Sequence, residues 1–70
     1  MSARIAVVGA GLVGRRHAAA IPAAGAVLAG IADPSADARA FSEECGAPWH
    51  GSLERLLGAG GLDGVVLATP

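Results

Sequence analysis

The run Arg4-Ile5-Ala6-Val7-Val8 passes directly into Gly9-Ala10-Gly11-Leu12-Val13-Gly14, and few folds can accommodate that junction. Continuous rather than alternating hydrophobicity is the pattern of a strand covered on both faces, as in a parallel sheet. The three glycines of G-x-G-x-x-G then have separate tasks. Gly9 turns the chain sharply off the strand, Gly11 has no side chain to hold a pyrophosphate away from the backbone, and Gly14 lets a following helix lie close to the strand. That helix begins with unpaired N–H groups and the positive end of its dipole. Leu12 and Val13 stand in its opening turn, so they belong to the same cradle.

The rest of the chain continues the pattern. A helix is expected from about Leu12 to Ile21, with Pro22 ending it or kinking its last turn because proline lacks an N–H and clashes with the preceding turn. Val27-Leu28-Ala29-Gly30-Ile31-Ala32 reads as a second strand. Pro34 and Ser35 should open a second helix capped by Asp33, running to about Cys45 with Gly46 as a left-handed C-terminal cap. Ala47-Pro48-Trp49-His50 reads as a short third strand, Ser52 caps a helix over Leu53 to Leu57, and Val65-Val66-Leu67-Ala68 forms a fourth strand before Thr69-Pro70. The order βαβαβαβ with short loops calls for an α/β fold: a Rossmann-like, doubly wound parallel sheet joined by right-handed crossovers.

Composition limits the remaining possibilities. The chain has 70 residues and is 53% hydrophobic, with one Phe, one Trp, one Met and no Tyr. Much of that fraction is alanine, so the core is made of small side chains and the whole reads as the first part of a larger dinucleotide-binding domain. Its net charge is −1, and its five basic residues are all Arg, which does not supply the basic stripe that nucleic-acid binding needs. The single Cys45 cannot form an internal disulfide and reads as a small apolar filler in a reducing cytoplasm. Apolar stretches are too short for a membrane span of about 20 residues, and no room for a signal peptide precedes the first strand.

The residue that gives the glycine loop a ligand is Asp33. It ends the second strand about 20 residues after Gly14, where a carboxylate can accept hydrogen bonds from the hydroxyls of an adenosine ribose. Its charge opposes a 2′-phosphate, favouring NAD over NADP, although Ser35 and Arg39 keep NADP open. Arg15 and Arg16 could reach the pyrophosphate through a bidentate guanidinium, or simply face solvent. His17 and His50 read as packing or surface residues, because neither sits where hydride would move. Thr69 and Pro70 leave the fourth strand at its carboxyl end, beside the crevice where open α/β sheets bind ligands. Glu43-Glu44 reads as a solvated patch and Asp63 as a turn residue. No metal-ligand spacing or nucleophile motif is present.

Four ordered segments make the chain resemble the N-terminal domain of the glucose–fructose oxidoreductase / inositol dehydrogenase / MocA family. They are Val8-Gly9-Ala10-Gly11-Leu12-Val13-Gly14-Arg15-Arg16-His17-Ala18, Ile31-Ala32-Asp33-Pro34, Leu53-Glu54-Arg55-Leu56-Leu57 and Leu62-Asp63-Gly64-Val65-Val66-Leu67-Ala68-Thr69-Pro70. The resemblance implies an NAD(P)-dependent oxidoreductase passing hydride between a nicotinamide and a sugar, cyclitol or related polyol. It also implies a C-terminal substrate domain, a homo-oligomer, and cofactor contacts at Gly9, Gly11, Gly14, Asp33 and Thr69. The family's catalytic lysine, in a Glu-Lys-Pro motif, has no counterpart in a chain without lysine, so no catalytic residue carries over. Two other readings share the glycine loop: a nucleotide-sensing module without catalysis, and an FAD domain, in which the second strand typically ends in Glu.

Overall fold

The computed structural model describes residues 2–68; Met1, Thr69 and Pro70 lie outside the described residues. Four strands alternate with three helices: β1 (Arg4–Val8), α1 (Leu12–Ala23), β2 (Val27–Ala32), α2 (Ala36–Cys45), β3 (Trp49–His50), α3 (Leu53–Ala59) and β4 (Gly64–Leu67). The strands form one sheet in the order β3-β2-β1-β4, and every pairing is parallel. The chain therefore winds outward from β1 through β2 to β3, then crosses back to place β4 on the other side of β1. The reversal of strand order falls between β1 and β4, and a doubly wound sheet opens its crevice outside the carboxyl ends of the strands at such a point.

Two small cores sandwich the sheet. On one face Val7 and Ile31 pack with Ala10, Ala18 and Ile21 of the α1 side and Ala38 of α2. On the other, Ala6 and Ala32 pack against Leu56 of α3. Leu28 and Ile31 join the same core although three residues apart, whereas a regular strand would place them on opposite faces. The register explains it: Ile5 pairs with Leu28 but Ala6 pairs with Gly30, a shift that leaves Ala29 as the extra residue of a bulge.

Several boundaries differ from the sequence expectation. α1 runs past Pro22 to Ala23; the missing proline N–H removes a bond only in the last turn, and Ala24 closes the helix with bonds to Ala20 and Ile21. α3 continues through Gly58 to Ala59 and stops at Gly60. β3 is reduced to Trp49–His50 because Pro48 contributes only its carbonyl, which accepts from Ile31. β4 ends at Leu67, although the Ala68 N–H still donates to Val8 at 2.8 Å.

The start of α2 is also a correction. Its N-cap is Ser35, whose hydroxyl accepts from the Ala38 N–H at 3.1 Å, and Pro34 precedes the cap instead of opening the helix. Asp33 is displaced from the capping role. At the other end Gly46 is left-handed, as expected. Cys45 is exposed, so it does not fill the core; partial desolvation and the neighbouring Glu44 raise its pKa. Asp63 does more than turn the chain, since its carboxylate accepts from the Arg4 N–H at 2.7 Å and its own N–H returns a bond to Arg4. Among the described residues no helix is long and apolar enough to cross a membrane.

Candidate functional site

At the β1 end the chain must reverse into α1 within three residues. Gly9 takes φ 100°, a conformation side-chain-bearing residues rarely adopt, while its N–H donates to Ala32 at 2.8 Å. Gly14, in the first full turn of α1, faces this corner. A Cβ on Gly14 would overlap the Gly9 carbonyl oxygen and lie 2.8 Å from the Gly9 carbonyl carbon. Gly14 is thus dictated by the protein's own backbone. Gly11 is different, because a Cβ there would meet no protein atom within 4 Å.

The start of α1 is unlike those of α2 and α3. Ser35 and Ser52 cap the latter two with their hydroxyls, and Asp37 and Glu54 stand in their first turns. α1 begins at Gly11 with no side-chain cap and no acidic residue in its first turn. Its opening N–H groups and dipole are therefore left for an anion from outside the helix.

Asp33 lies across this opening. Its Oδ2 accepts the Ala10 N–H of the glycine loop and its Oδ1 accepts the Ser35 N–H, both at 2.9 Å. These bonds tie the β1–α1 and β2–α2 loops together through one carboxylate. The Ser35 N–H is the strongest influence holding the Asp33 carboxyl below its ordinary pKa; partial burial opposes it and the Ala10 N–H adds to it. Each oxygen keeps a further lone pair, so the charged group can still accept hydroxyls from a ligand.

Gly9, Gly11, Leu12, Val13, Asp33, Leu67 and Ala68 line a single groove of about 480 Å³ at this end of the sheet. The structure brings together every expected site residue on that list, and Gly14 stands behind them as the packing contact. Thr69 and Pro70 lie outside the described residues. Leu12 and Leu67 are 69% and 67% exposed, so the groove's walls are apolar around a polar floor, the usual make-up of a ligand site.

Other expected candidates point elsewhere. Arg15 turns its Nε to the Ala10 carbonyl at 3.0 Å and lays its guanidinium 4.7 Å from the centre of the Phe41 ring. It braces the glycine loop against α2, which its position beside Gly14 did not reveal. Arg16 and His17 are exposed on α1. His50 is half-buried beside Gly30, where a Cβ would come within 3.5 Å of its ring. Arg39 and Ser35, the residues that left a 2′-phosphate possible, are otherwise engaged: Arg39 lies over Trp49, and Ser35 caps α2. Trp49 went unassigned in the sequence, yet its Nε1–H donates to the Asp33 carbonyl at 2.9 Å. Among the described residues no three His, Cys, Asp or Glu side chains converge to hold a metal ion.

Residues 3–70 match the family described as GFO_IDH_MocA, an oxidoreductase family with an NAD-binding Rossmann fold. Among solved structures the chain is similar to the WlbA dehydrogenase of Bordetella pertussis, with 36% identity over 100% of this chain and a TM-score of 0.90. It is also similar to the WlbA dehydrogenase of Chromobacterium violaceum, with 33% identity over 99% of this chain and a TM-score of 0.89. Both were crystallised with NADH and UDP-GlcNAcA. The chain spans 21% and 22% of the lengths of the Chromobacterium and Bordetella proteins. No curated protein matches it at the sequence level.

Proposed function

This chain belongs to the glucose–fructose oxidoreductase / inositol dehydrogenase / MocA family and is an NAD-binding Rossmann unit of it; from that premise we propose how its residues share the cofactor and what the whole protein does. The pyrophosphate lies on the open start of α1, against the backbone of Gly9, Gly11, Leu12 and Val13, with Gly14 keeping the helix close. Asp33 accepts the hydroxyls of the adenosine ribose. The nicotinamide half runs toward the end of β4, past Leu67 and Ala68, and the assignment of Thr69 and Pro70 to the cofactor rests on the sequence alone. One observation carries this reading: a carboxylate with a lowered pKa is fixed to the glycine loop inside the same groove.

NAD supplies a carbon that accepts or returns hydride. The residues of this chain bind and orient it; their charge pattern favours NAD over NADP, because Asp33 repels a 2′-phosphate. We infer that the whole protein oxidises or reduces a carbinol carbon of a sugar, cyclitol or related polyol. Within that class a nucleotide-linked sugar is favoured, since both similar structures hold UDP-GlcNAcA. Residues 1–70 alone carry no turnover in this reading: they contain no lysine, and among the described residues no acid–base pair lines the groove. A further domain supplies the substrate pocket and the homo-oligomer contact, and the protein works in the cytoplasm without nucleic acid or membrane.

Calorimetry on the full chain with NAD and NADP tests the cofactor assignment. NAD should bind at least tenfold tighter, a difference of about 1.4 kcal/mol; an NADP preference of that size would refute the role of Asp33. Formation of NADH by the whole protein, including the further domain, followed by its absorbance with free and nucleotide-linked sugars, tests the substrate class. A purified protein that retained flavin would sink the reading altogether.

A further inference from the structure

Asp33 is gripped along its main chain as well as at its carboxylate. Its N–H donates to the His50 carbonyl at 3.0 Å, and its carbonyl accepts the Trp49 indole N–H at 2.9 Å. The Arg39 guanidinium lies 5.5 Å from the centre of the same indole, so the ring is held between α2 and the sheet. The residue after Asp33 is Pro34, which has no N–H. The Asp33 carbonyl is therefore the one polar handle on the Asp33–Pro34 peptide. Whatever bonds that oxygen sets ψ of Asp33, and with it the relation between the carboxylate and the start of α2.

We propose that Trp49 is a positioning residue for Asp33: its indole N–H orients the carboxylate that receives the ribose and so supports the preference for NAD. The proposal rests on the assignment of Asp33 to the ribose made above. The other β3 contact, from the Asp33 N–H to the His50 carbonyl, uses backbone alone and would survive any side chain at position 49. The bond to the Asp33 carbonyl requires a side-chain donor of this reach. Phe would fill the same space without donating.

The test is Trp49→Phe in the full chain, with NAD and NADP binding measured by calorimetry. Loss of one neutral hydrogen bond that acts through Asp33 should weaken NAD binding about three- to tenfold. NADP, whose 2′-phosphate gains nothing from the carboxylate, should change less than about twofold. In an Asp33→Asn background the same substitution should have no further effect on NAD, because coupled residues are not additive.

Equal losses for the two nucleotides, or an undiminished effect in the Asp33→Asn background, would overturn the proposal. Binding of neither nucleotide by the unsubstituted chain would instead defeat the cofactor reading itself. Tight NAD binding left unchanged by Trp49→Phe would remove only the role of Trp49. Should Trp49→Phe fail to fold, the indole N–H resonance of the unsubstituted protein decides the matter. It should exchange slowly with solvent and shift on adding NAD but not inorganic pyrophosphate. Exchange as fast as in free tryptophan, or an equal shift with pyrophosphate, would overturn the proposal.

Discussion

Gly11 and Gly14 sit three residues apart in one motif, yet substitution should separate their effects. At Gly14 a Cβ would collide with the backbone of Gly9, which can move only if the β1–α1 corner opens. Gly14→Ala is expected to cost about 1–3 kcal/mol, the usual penalty for overpacking, and to abolish NAD binding with it; a urea denaturation midpoint beside a binding isotherm will show both losses. At Gly11 the same methyl meets no protein atom, and its φ of −72° suits any residue. Gly11→Ala should therefore leave the denaturation midpoint nearly unchanged, within about 0.5 kcal/mol, while NAD affinity falls at least about tenfold because the methyl occupies the pyrophosphate's place. Equal loss of stability in both variants would refute this division. Asp33 adds a pH dependence of definite sign. Its folded pKa is lowered, so its contribution to stability is fully present above the unfolded value of about 3.9 and is lost as pH falls through the folded value. Asp33→Asn should flatten that part of the acid limb of a stability–pH curve, and an unaltered limb would show that the carboxylate is not held as described.

Elements were legible in the sequence where their signals are local. Ser52 stands just before an apolar-periodic run, Gly46 just after one, and the unbroken Ile5–Val8 run marks a strand covered on both faces; each fixes an element or its end through a few neighbouring residues. At Asp33-Pro34-Ser35, by contrast, two capping residues stand close together and the local pattern points to Asp33, the wrong one. The glycine loop and Asp33 were legible for the same reason, since their spacing along one βαβ unit implies their meeting. What bridges separate elements was not. Arg15 finds Phe41 only once α1 and α2 lie side by side, and Trp49 finds Asp33 only once β3 has paired with β2. Gly30 did carry a signal, because an isolated glycine inside a strand marks a close approach: Leu56 of α3 reaches to 2.9 Å of where its Cβ would be. That obstacle is the end of a side chain, not backbone, so Gly30→Ala should be milder than Gly14→Ala when the two are compared by denaturation. Leu56 is 1% exposed and, among the described residues, is the large side chain of the buried cluster on its face of the sheet. Leu56→Ala should accordingly cost about 2–5 kcal/mol, and a smaller loss would mean that α3 contributes little to the fold.

Across the molecule the two faces of the sheet are unequally covered. Two helices pack on one face and α3 alone on the other, where Ala6, Ala32 and Leu56 form the buried cluster among the described residues. The chain is small, and at 70 residues it can bury only about 60% of its unfolded surface. Its groove, moreover, is assembled from separate loops, and one side-chain hydrogen bond, from the Ala10 N–H to the Asp33 carboxylate, ties the β1–α1 loop to the β2–α2 loop. A ligand that bridges those loops binds the folded state and not the unfolded one, so it must stabilise the fold by mass action. At one hundred times its dissociation constant NAD should add about 2.7 kcal/mol, which should appear as a Tm increase on the order of 5–10 °C or more. NADP at the same concentration should raise Tm less because it binds more weakly, and an about tenfold loss of affinity in Gly11→Ala should cut the NAD effect to about half, about 1.4 kcal/mol, without lowering the ligand-free Tm. Thermal melts of the full chain and its Gly11→Ala variant, with and without each nucleotide, measure all of these at once. Stabilisation by NAD that survived undiminished in Gly11→Ala would place the binding site away from the glycine loop, because mass action stabilises the fold wherever the ligand binds.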